Sequence, residues 1–469
     1  MTNPEPATRS TRPTRIVQLL MFVTGIVWAY TISKQDLSQT QIPGFLMAMA
    51  ISWWLTPEIR ARALRLGLVD KPGEERRIHK VPIPRLGGVA IYIGVVSAVT
   101  ILIAICGRLP HVARGSEGGF IGIAVGGTVI FALGLIDDLE SVTAKLKLGV
   151  QMIAGCAAYS MGVRIKAIPV PDYVQAIFHL PAHSIDLGQF GLPFTVLWLV
   201  GIANAVNLID GMDGLAAGVS AISALTIWSV ALADNIDRQY AALVAAVLAG
   251  ALLGFLRWNF NPARIFLGDS GAYLTGFILA ALSITGVIKG ATTATLIVPT
   301  FIIALLILFF PLLDTSWAIV RRVAKGKSIF TPDAGHIHHR LLQAGLSQKN
   351  VAYLIYGITA VLGLVAAWFV GQQKYYLSLC GAVLFMAVFF AEVLNRHRQR
   401  KSVHAAPGTV AGATNATTGK SPARTEARTE AAGEQSSASV RSVEAVDTPA
   451  LPGSIVSPKN DESHSTALR

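Results

Sequence analysis

Polar side chains recur at every third position in residues 204–218, which read NAVNLIDGMDGLAAG. The run before them, residues 193–203, holds no ionisable side chain. If a helix continues through the stretch, this spacing places the polar groups on roughly one stripe, and Gly211 and Gly214 let the backbone approach a ligand closely. Polar groups at the boundary of an apolar helix are costly unless they are used, so the stretch is a candidate site. Its polar members are Asn204, Asn207, Asp210 and Asp213.

Three further carboxylates lie at the ends of apolar segments. Asp137 and Asp138 end one segment, where acidic groups oppose the helix dipole, so a solvated helix end and a functional pair both stay open. Asp269 lies between glycines in FLGDSG, residues 266–271, at the start of a later segment. It suits a helix N-cap there, and capping does not exclude metal binding.

A cluster of histidines stands in a later loop together with Arg340. His336, His338 and His339 are too close in sequence for an ordinary structural zinc site, and the loop offers no cysteine partner. Histidine donates hydrogen bonds to phosphate and titrates near neutral pH. We interpret the cluster as a phosphate-contacting basic loop.

The elements that position these clusters are long apolar segments. Of the 469 residues, 52% are hydrophobic and 14% are charged, whereas soluble domains carry about 25% charged residues. Several runs approach the ~20 residues that span a bilayer. The sequence therefore predicts an all-α, polytopic integral membrane protein with about 11–12 transmembrane helices and cytoplasmic catalytic loops. The predicted segments are 16–33, 45–55, 87–106, 120–136, 148–163, 192–206, 215–233, 240–256, 272–288, 296–320, 351–370 and 375–394.

Basic loops predict how these segments are oriented. The loop at residues 58–86 carries eight Lys and Arg residues, which the positive-inside rule places in the cytoplasm. Each predicted segment crosses the membrane once, so alternate loops lie on the same side. Counted from the loop at 58–86, all the polar clusters lie on the cytoplasmic side. We therefore expect one site, facing the cytoplasm.

The two ends of the chain differ from its middle. We predict a cytoplasmic N-terminal segment at residues 1–15, a transmembrane domain at 16–394 and a disordered cytoplasmic tail at 395–469, because the tail lacks apolar periodicity. Positive-inside placement explains the net charge of +12 better than nucleic-acid binding does. Membrane lipids, and no nucleic acid, are the expected surroundings.

Acids and amides surrounded by cations favour Mg²⁺ and phosphate chemistry. Mg²⁺ takes hard oxygen ligands and shares them with substrate phosphates. Lysine, arginine and histidine would balance the charge on a transferring phosphoryl group. A phosphate-handling site built from membrane helices predicts one water-soluble substrate with a diphosphate and one lipid substrate.

Five ordered motifs resemble those of a known family over roughly residues 66–346. They are GLVDKP with HKVPIPRLGG, GLIDDL, NAVNLIDGMDGL, RIFLGDSG and HIHHRLL. In this order they are similar to the motifs of the polyprenyl-phosphate N-acetylhexosamine-1-phosphate transferases, glycosyltransferase family 4. That resemblance implies an enzyme of the bacterial cytoplasmic (inner) membrane. It would transfer a sugar 1-phosphate from a UDP-N-acetylhexosamine to undecaprenyl phosphate and release UMP, starting a lipid-linked cell-envelope glycan.

The resemblance also implies roles for individual residues. Asn207 and Asp269 would hold Mg²⁺, or Mn²⁺ in its place, against the diphosphate. Asp213 would contact the uracil and Phe266 would stack on it. Asp137 and Asp138 would serve the attacking lipid phosphate as catalytic residues, with either one open as the base. The remaining substrate-binding candidates are Lys80, Asn204, Asp210, His336, His338 and His339. Related enzymes dimerise through membrane helices, so a homodimer stays open.

The sequence leaves alternatives open both for the transferred sugar and for the class of protein. The HIHH motif favours GlcNAc 1-phosphate transfer over the phospho-N-acetylmuramoyl-pentapeptide transferase, whose loop has three consecutive histidines. Ala334 stands where relatives commonly have a basic residue, which leaves the choice of hexosamine open. A polytopic transporter or flippase is the alternative class, although its polar groups should lie near the bilayer midplane. A scaffold without activity is a third reading, and every expected acid is present.

Overall fold

The computed structural model describes residues 12–31, 37–70, 82–106, 119–169, 175–177, 179, 184–232, 236–288, 300–326 and 335–370. Helices dominate these residues, which confirms the all-α prediction. The predicted span 375–394, the tail 395–469, Lys80 and Ala334 lie outside the described residues, as does the N-terminal segment up to residue 11. The first helix begins at Arg12, inside the predicted N-terminal segment.

The described residues form thirteen α-helices. They are α1 (Arg12–Thr31), α2 (Gln41–Arg65), α3 (Gly87–Cys106), α4 (Phe120–Leu139), α5 (Ala144–Ser160), α6 (Gly191–Ile209), α7 (Leu215–Val230), α8 (Ile236–Asn259), α9 (Gly268–Leu282), α10 (Thr300–Ile307), α11 (Phe309–Ala324), α12 (Ile337–Gln343) and α13 (Gln348–Val370). A π-helical turn, Ser283–Ile288, continues α9. Short 3-10 turns, Leu37–Thr40 and Gly188–Phe190, precede α2 and α6.

Membrane-spanning capacity agrees with the predicted class. Among the described residues, seven helices are long and apolar enough to cross a bilayer, or eight if the bent pair α10–α11 is one span. The predicted segments at 45–55, 148–163 and 215–233 also form helices. Of these, α5 has 17 residues and α7 has 16, short of the ~20 that a straight span requires, and α2 ends in Arg62 and Arg65.

The predicted span 296–320 is not one straight helix, because the chain bends by 87° between α10 and α11. Pro311 has no N–H to donate to the carbonyl of Ile307, four residues earlier. Ser223 Oγ instead donates to Ile307 O at 2.9 Å, which satisfies the carbonyl inside the protein. Beyond the break, α11 exposes Trp317 and buries Asp314, so its two faces differ in polarity.

Helix α9 forms the centre of the fold. All its residues are buried except Asp269, near its first turn. Glycines allow neighbouring helices to contact this end directly: a Cβ on Gly88 of α3 would lie 2.2 Å from Gly271 N, and one on Gly134 of α4 would lie 2.5 Å from Ser270 Cα. These distances are far inside van der Waals contact, so close packing at the start of α9 requires glycine.

Two small antiparallel hairpins complete the described fold. Strands β1 (Val69–Asp70) and β2 (Ile83–Pro84) close the basic loop, with Val69 opposite Pro84. Phe266 N donates to Pro84 O at 2.8 Å and Gly87 N donates to Phe266 O at 3.0 Å, so this hairpin holds the segment that leads into α9. Strands β3 (Ala167–Pro169) and β4 (Ser184–Asp186) pair between α5 and α6.

Candidate active site

Polar residues from three other helices lie around Asp269, at the start of α9. Asn207 Nδ2, near the end of α6, donates to Asp269 Oδ1 at 2.8 Å. Lys147 Nζ, from α5, lies 3.6 Å from Asp269 Oδ2 and forms a closer ion pair with Asp137 at the end of α4. The side chain of Asp269 is 35% exposed. Two carboxylates therefore meet around one ammonium group, and one of them is open to a ligand.

Asp138 has different contacts from Asp137. Its carboxylate accepts from Asp269 N at 2.7 Å, from Ser270 N at 3.0 Å and from Ser270 Oγ at 2.5 Å. The first N–H groups of a helix have no partner within it, so Asp138 caps α9 from a neighbouring helix. Gly268 has φ +75, and a Cβ there would lie 2.7 Å from Asp138 Oδ2. The prediction that Asp269 is an N-cap is not what the hydrogen bonds show, since Asp138 supplies the capping oxygens.

The stripe predicted through residues 204–213 is interrupted, because α6 ends at Ile209. Asn204 Nδ2 donates to Gln151 Oε1 at 2.7 Å. Asp213 Oδ2 accepts from Asn261 Nδ2 at 2.9 Å and from Ala263 N at 3.0 Å. The helix therefore does not continue through the stretch, since glycines at 211 and 214 allow a turn, with φ +76 at Gly214.

Asp210 lies in that turn, half-buried, among other carboxylates. Burial raises the pKa of Asp210 well above its ordinary value, and the nearby Asp269 carboxylate raises it further, while Arg85 opposes the shift. Phe266 is half-buried and is held through its backbone by the β1–β2 hairpin. The structure thus brings Asp210 and Asp269 close to one another, and it places Phe266 just before α9.

The histidine cluster docks on two elements. His336 Nδ1 lies 2.7 Å from Asp314 Oδ2, and Ile337 N donates to Asp314 Oδ1 at 2.7 Å. His338 is buried against Gly211, where a Cβ would lie 2.8 Å from His338 Nε2. Burial lowers the pKa of His338 to about 4, with a further contribution from His339. The ring centroids of His338 and His339 are 4.4 Å apart.

Several contributors were not predicted as site residues. Lys147 lies ten residues after Asp137, and Ser270 is part of the FLGDSG motif, but neither is among the predicted site residues. Asp314 is not among the predicted site residues either, although it is the sole ionisable residue in 300–320. An acid within an apolar run is a functional candidate by default, so that signal was present in the sequence.

The oxygen donors suit a magnesium ion shared with a substrate. Among the residues that the structure describes, no group of three or more His, Cys, Asp and Glu could hold a metal by itself. Mg²⁺ usually takes one or two protein carboxylates and completes its shell with phosphate oxygens and water. Asp269, with the amide of Asn207, offers that donor set, and Lys147 offsets part of the negative charge of Asp269 and Asp137.

These features define a class: an integral membrane protein with a carboxylate, amide and lysine cluster at its helix ends, suited to phosphoryl transfer. Residues 120–287 match the family described as Glycosyl transferase family 4. A Bacillus subtilis protein named "Probable undecaprenyl-phosphate N-acetylglucosaminyl 1-phosphate transferase" is 34% identical over 75% of this chain and 90% of its own length. The chain belongs to glycosyl transferase family 4.

Two further relatives show how the similarity is distributed. The Mycobacterium tuberculosis "Decaprenyl-phosphate N-acetylglucosaminephosphotransferase" is 38% identical over 73% of this chain and 86% of its own length. The Escherichia coli "Undecaprenyl-phosphate alpha-N-acetylglucosaminyl 1-phosphate transferase" is 27% identical over 71% and 84%. The family expected from the five motifs is thereby confirmed.

Proposed function

We propose that the protein transfers N-acetylglucosamine 1-phosphate from UDP-GlcNAc to undecaprenyl phosphate and releases UMP, and that the reaction depends on Mg²⁺. The observation that carries this proposal is the meeting of Asp137, Asp269, Asn207 and Lys147 at one end of the helices. The names of the relatives at 34% and 38% identity support the transferred group and a polyprenyl phosphate acceptor.

The reaction exchanges one phosphoanhydride for another. An oxygen of the lipid phosphate attacks the phosphorus bonded to the sugar, a new P–O–P bond forms, and the bond to UMP breaks with the bridging oxygen leaving on UMP. A phosphate monoester is largely ionised at pH 7 because its second pKa is about 6. The site therefore needs to orient the phosphate and neutralise charge more than to remove a proton.

The protein's own residues divide this work. Asn207 and Asp269 would hold Mg²⁺, which when bound neutralises charge on the diphosphate. Lys147 bridges Asp137 and Asp269, so it keeps the two carboxylates together. Asp137 would orient the lipid phosphate, while Asp138 would serve by holding the start of α9 through the hydrogen bonds it accepts there.

The remaining candidates would bind the nucleotide-sugar. Asp213 and Phe266 would face the uracil, and Asp213 also holds the loop before α9 by accepting from Ala263 N. The phosphates would meet Lys80 and the cluster His336, His338 and His339, and Asn204 and Asp210 would line the same side. The site would face the cytoplasm of a bacterial inner membrane, where the soluble donor is present.

The first test uses purified protein in detergent and measures UMP release. Donors are UDP-GlcNAc, UDP-GalNAc and UDP-MurNAc-pentapeptide; acceptors are undecaprenyl and decaprenyl phosphate; Mg²⁺ is compared with Mn²⁺ and with excess chelator. We expect release with UDP-GlcNAc that requires lipid and Mg²⁺. Release only with UDP-MurNAc-pentapeptide would select the peptidoglycan alternative, and a preference for decaprenyl phosphate would correct the acceptor.

A folded but inactive wild type would reject the enzyme. Asp269→Asn separates an enzyme from a scaffold, because only an enzyme loses lipid-linked product while the variant still folds. A transporter or flippase would show no product in either protein.

A further inference from the structure

Asp314 is a buried carboxylate to which the proposed reaction assigns no role. It lies on α11, just past the bend from α10, and its side chain is 0% exposed. Removing a carboxylate from water is costly unless a partner and hydrogen bonds compensate. The contacts of Asp314 therefore indicate the role of this buried carboxylate.

Both oxygens of Asp314 contact the histidine cluster. Oδ2 lies 2.7 Å from His336 Nδ1 and Oδ1 accepts from Ile337 N at 2.7 Å. The first contact fixes the plane and direction of the imidazole ring. The second satisfies an N–H at the start of α12 that has no partner within the helix. One carboxylate thus holds a side chain and the backbone that carries it.

The same helix supports the cluster at another point. Arg321 lies two turns after Asp314, and a Cβ on Gly335 would meet Arg321 Cζ at 2.7 Å. The guanidinium group therefore packs against the backbone just before His336. On the opposite side, His338 packs against Gly211 in the turn after α6. The cluster is held between α11 and the aspartate-bearing turn.

We propose that Asp314 is a positioning residue that acts through His336 in the transfer reaction. Because Nδ1 is committed to Asp314, only Nε2 of the ring can contact a substrate phosphate. A carboxylate behind an imidazole fixes its tautomer and orientation and stabilises its protonated form as charge develops on the ligand. This inference rests on the proposed function, since it needs His336 to contact a phosphate.

The kinetic test compares Asp314→Asn, His336→Gln and the double variant. Hydrogen bonds to charged groups matter most where charge develops, so we expect kcat to fall about tenfold to a hundredfold in Asp314→Asn. KM for UDP-GlcNAc should change by less than about threefold. The double variant should be no slower than His336→Gln, because Asp314 acts through that ring. Asp314→Glu, which keeps the carboxylate, should recover part of the rate.

A matched control is Asp186→Asn, in strand β4. Its carboxylate accepts from Gly188 N at 3.0 Å. Asp186 precedes the start of α6, whereas the site lies at the other end of that helix, so the substitution removes one negative charge far from the site. We expect wild-type kcat for this control. Unchanged kcat in Asp314→Asn, or equal losses from Asp314→Asn in the wild-type and His336→Gln backgrounds, would overturn the proposal.

A measurement independent of turnover keeps the two proposals distinguishable. NMR of protein labelled with ¹⁵N-histidine reports whether Nδ1 of His336 carries a proton, and His336→Gln identifies the signal. We expect a protonated Nδ1 in the wild type and its loss in Asp314→Asn. An unprotonated Nδ1 in active wild type would overturn the inference alone, whereas an inactive wild type with this contact present would overturn the proposed function and, with it, any catalytic role for Asp314.

Discussion

Adjacent aspartates at the end of α4 perform different tasks because successive residues on a helix point in different directions. Asp137 faces Lys147 and accepts from Val142 N at 2.9 Å. Asp138 faces the start of α9 and accepts from Asp269 N and Ser270 N. One carboxylate belongs to the charge cluster and the other to the architecture that supports it.

Removing these two carboxylates should therefore separate stability from activity. Asp138→Ala leaves buried N–H groups at the start of α9 without an acceptor, so we expect the free energy of unfolding to fall by about 1–3 kcal/mol. Asp137→Ala should lower turnover more than a hundredfold if it removes an interaction with the reacting phosphates, with a smaller effect on stability. Thermal unfolding in detergent and UMP release measure both. Equal unfolding temperatures for Asp138→Ala and the wild type would contradict the capping role.

A buried neutral histidine predicts sensitivity to acid. The pKa of His338 is lowered from 6.5 to about 4, so between these pH values the unfolded chain binds more protons at this residue than the folded protein does. Stability is therefore fully present above pH 6.5 and falls as the pH drops toward 4. Among the neighbouring groups, His339 and His336 lower the pKa of His338 further, and the Asp314 carboxylate opposes them.

His338→Gln should lose less stability over that window than the wild type. The comparison uses thermal unfolding of both proteins at several pH values between 4 and 7.5. Parallel curves for the two proteins would show that His338 does not contribute to the acid sensitivity.

At the scale of elements, glycines determine how closely the histidine helix meets the aspartate turn. A Cβ on Gly211 would lie 2.8 Å from His338 Nε2, whereas a Cβ on Gly201 would meet nothing within 4 Å. Overpacking of this kind costs about 1–3 kcal/mol. Replacing glycine by alanine in an open helical position gains roughly 0.5–1 kcal/mol.

Gly211→Ala and Gly201→Ala form a matched pair. We expect Gly211→Ala to lower the unfolding temperature and turnover, because His338 must move, and Gly201→Ala to raise the unfolding temperature slightly with turnover retained. Turnover and unfolding curves for the two variants, measured side by side, provide the comparison. Wild-type turnover in Gly211→Ala would mean that α12 tolerates displacement from the turn.

At the scale of the whole molecule, the directions and lengths of the helices place the site at one end of the helical bundle. Helix α4 ends, and α5 begins, near the carboxylate cluster, whereas α6 begins at the opposite end and reaches the cluster after 19 residues. At 1.5 Å per residue this helix spans roughly 28 Å, about the thickness of the hydrocarbon core. Ser141 and Gln189, both exposed, therefore lie at opposite ends.

Membrane topology follows as a prediction. In a variant whose Cys106, Cys156 and Cys380 are replaced by serine, we expect Gln189→Cys to react with an impermeant maleimide in intact spheroplasts. Ser141→Cys should react only after the membrane is permeabilised. Labelling of Ser141→Cys in intact spheroplasts would place the site outside the cytoplasm.

The positions of most helices and of the polar helix ends follow from residues that are close together in the sequence. Runs of apolar residues near the bilayer thickness fix where most helices form, and the polar motifs fix which helix ends carry chemistry. Composition and spacing along the chain could therefore predict the membrane-protein class and one site for Asp137, Asn207 and Asp269. The family was predicted from the resemblance of the five motifs.

Tertiary structure decided the partners of those residues. The separate tasks of Asp137 and Asp138 depend on where α9 begins relative to α4, and the sequence holds no local signal for that distance. The interrupted stripe after Ile209 and the bend at Leu308 arise where neighbouring groups, such as Ser223 for the carbonyl of Ile307, satisfy backbone atoms that a continuous helix would bind itself. The link from Asp314 to His336 joins residues 22 positions apart across an unpredicted bend. Such contacts follow from packing between helices, which spacing along one helix cannot specify.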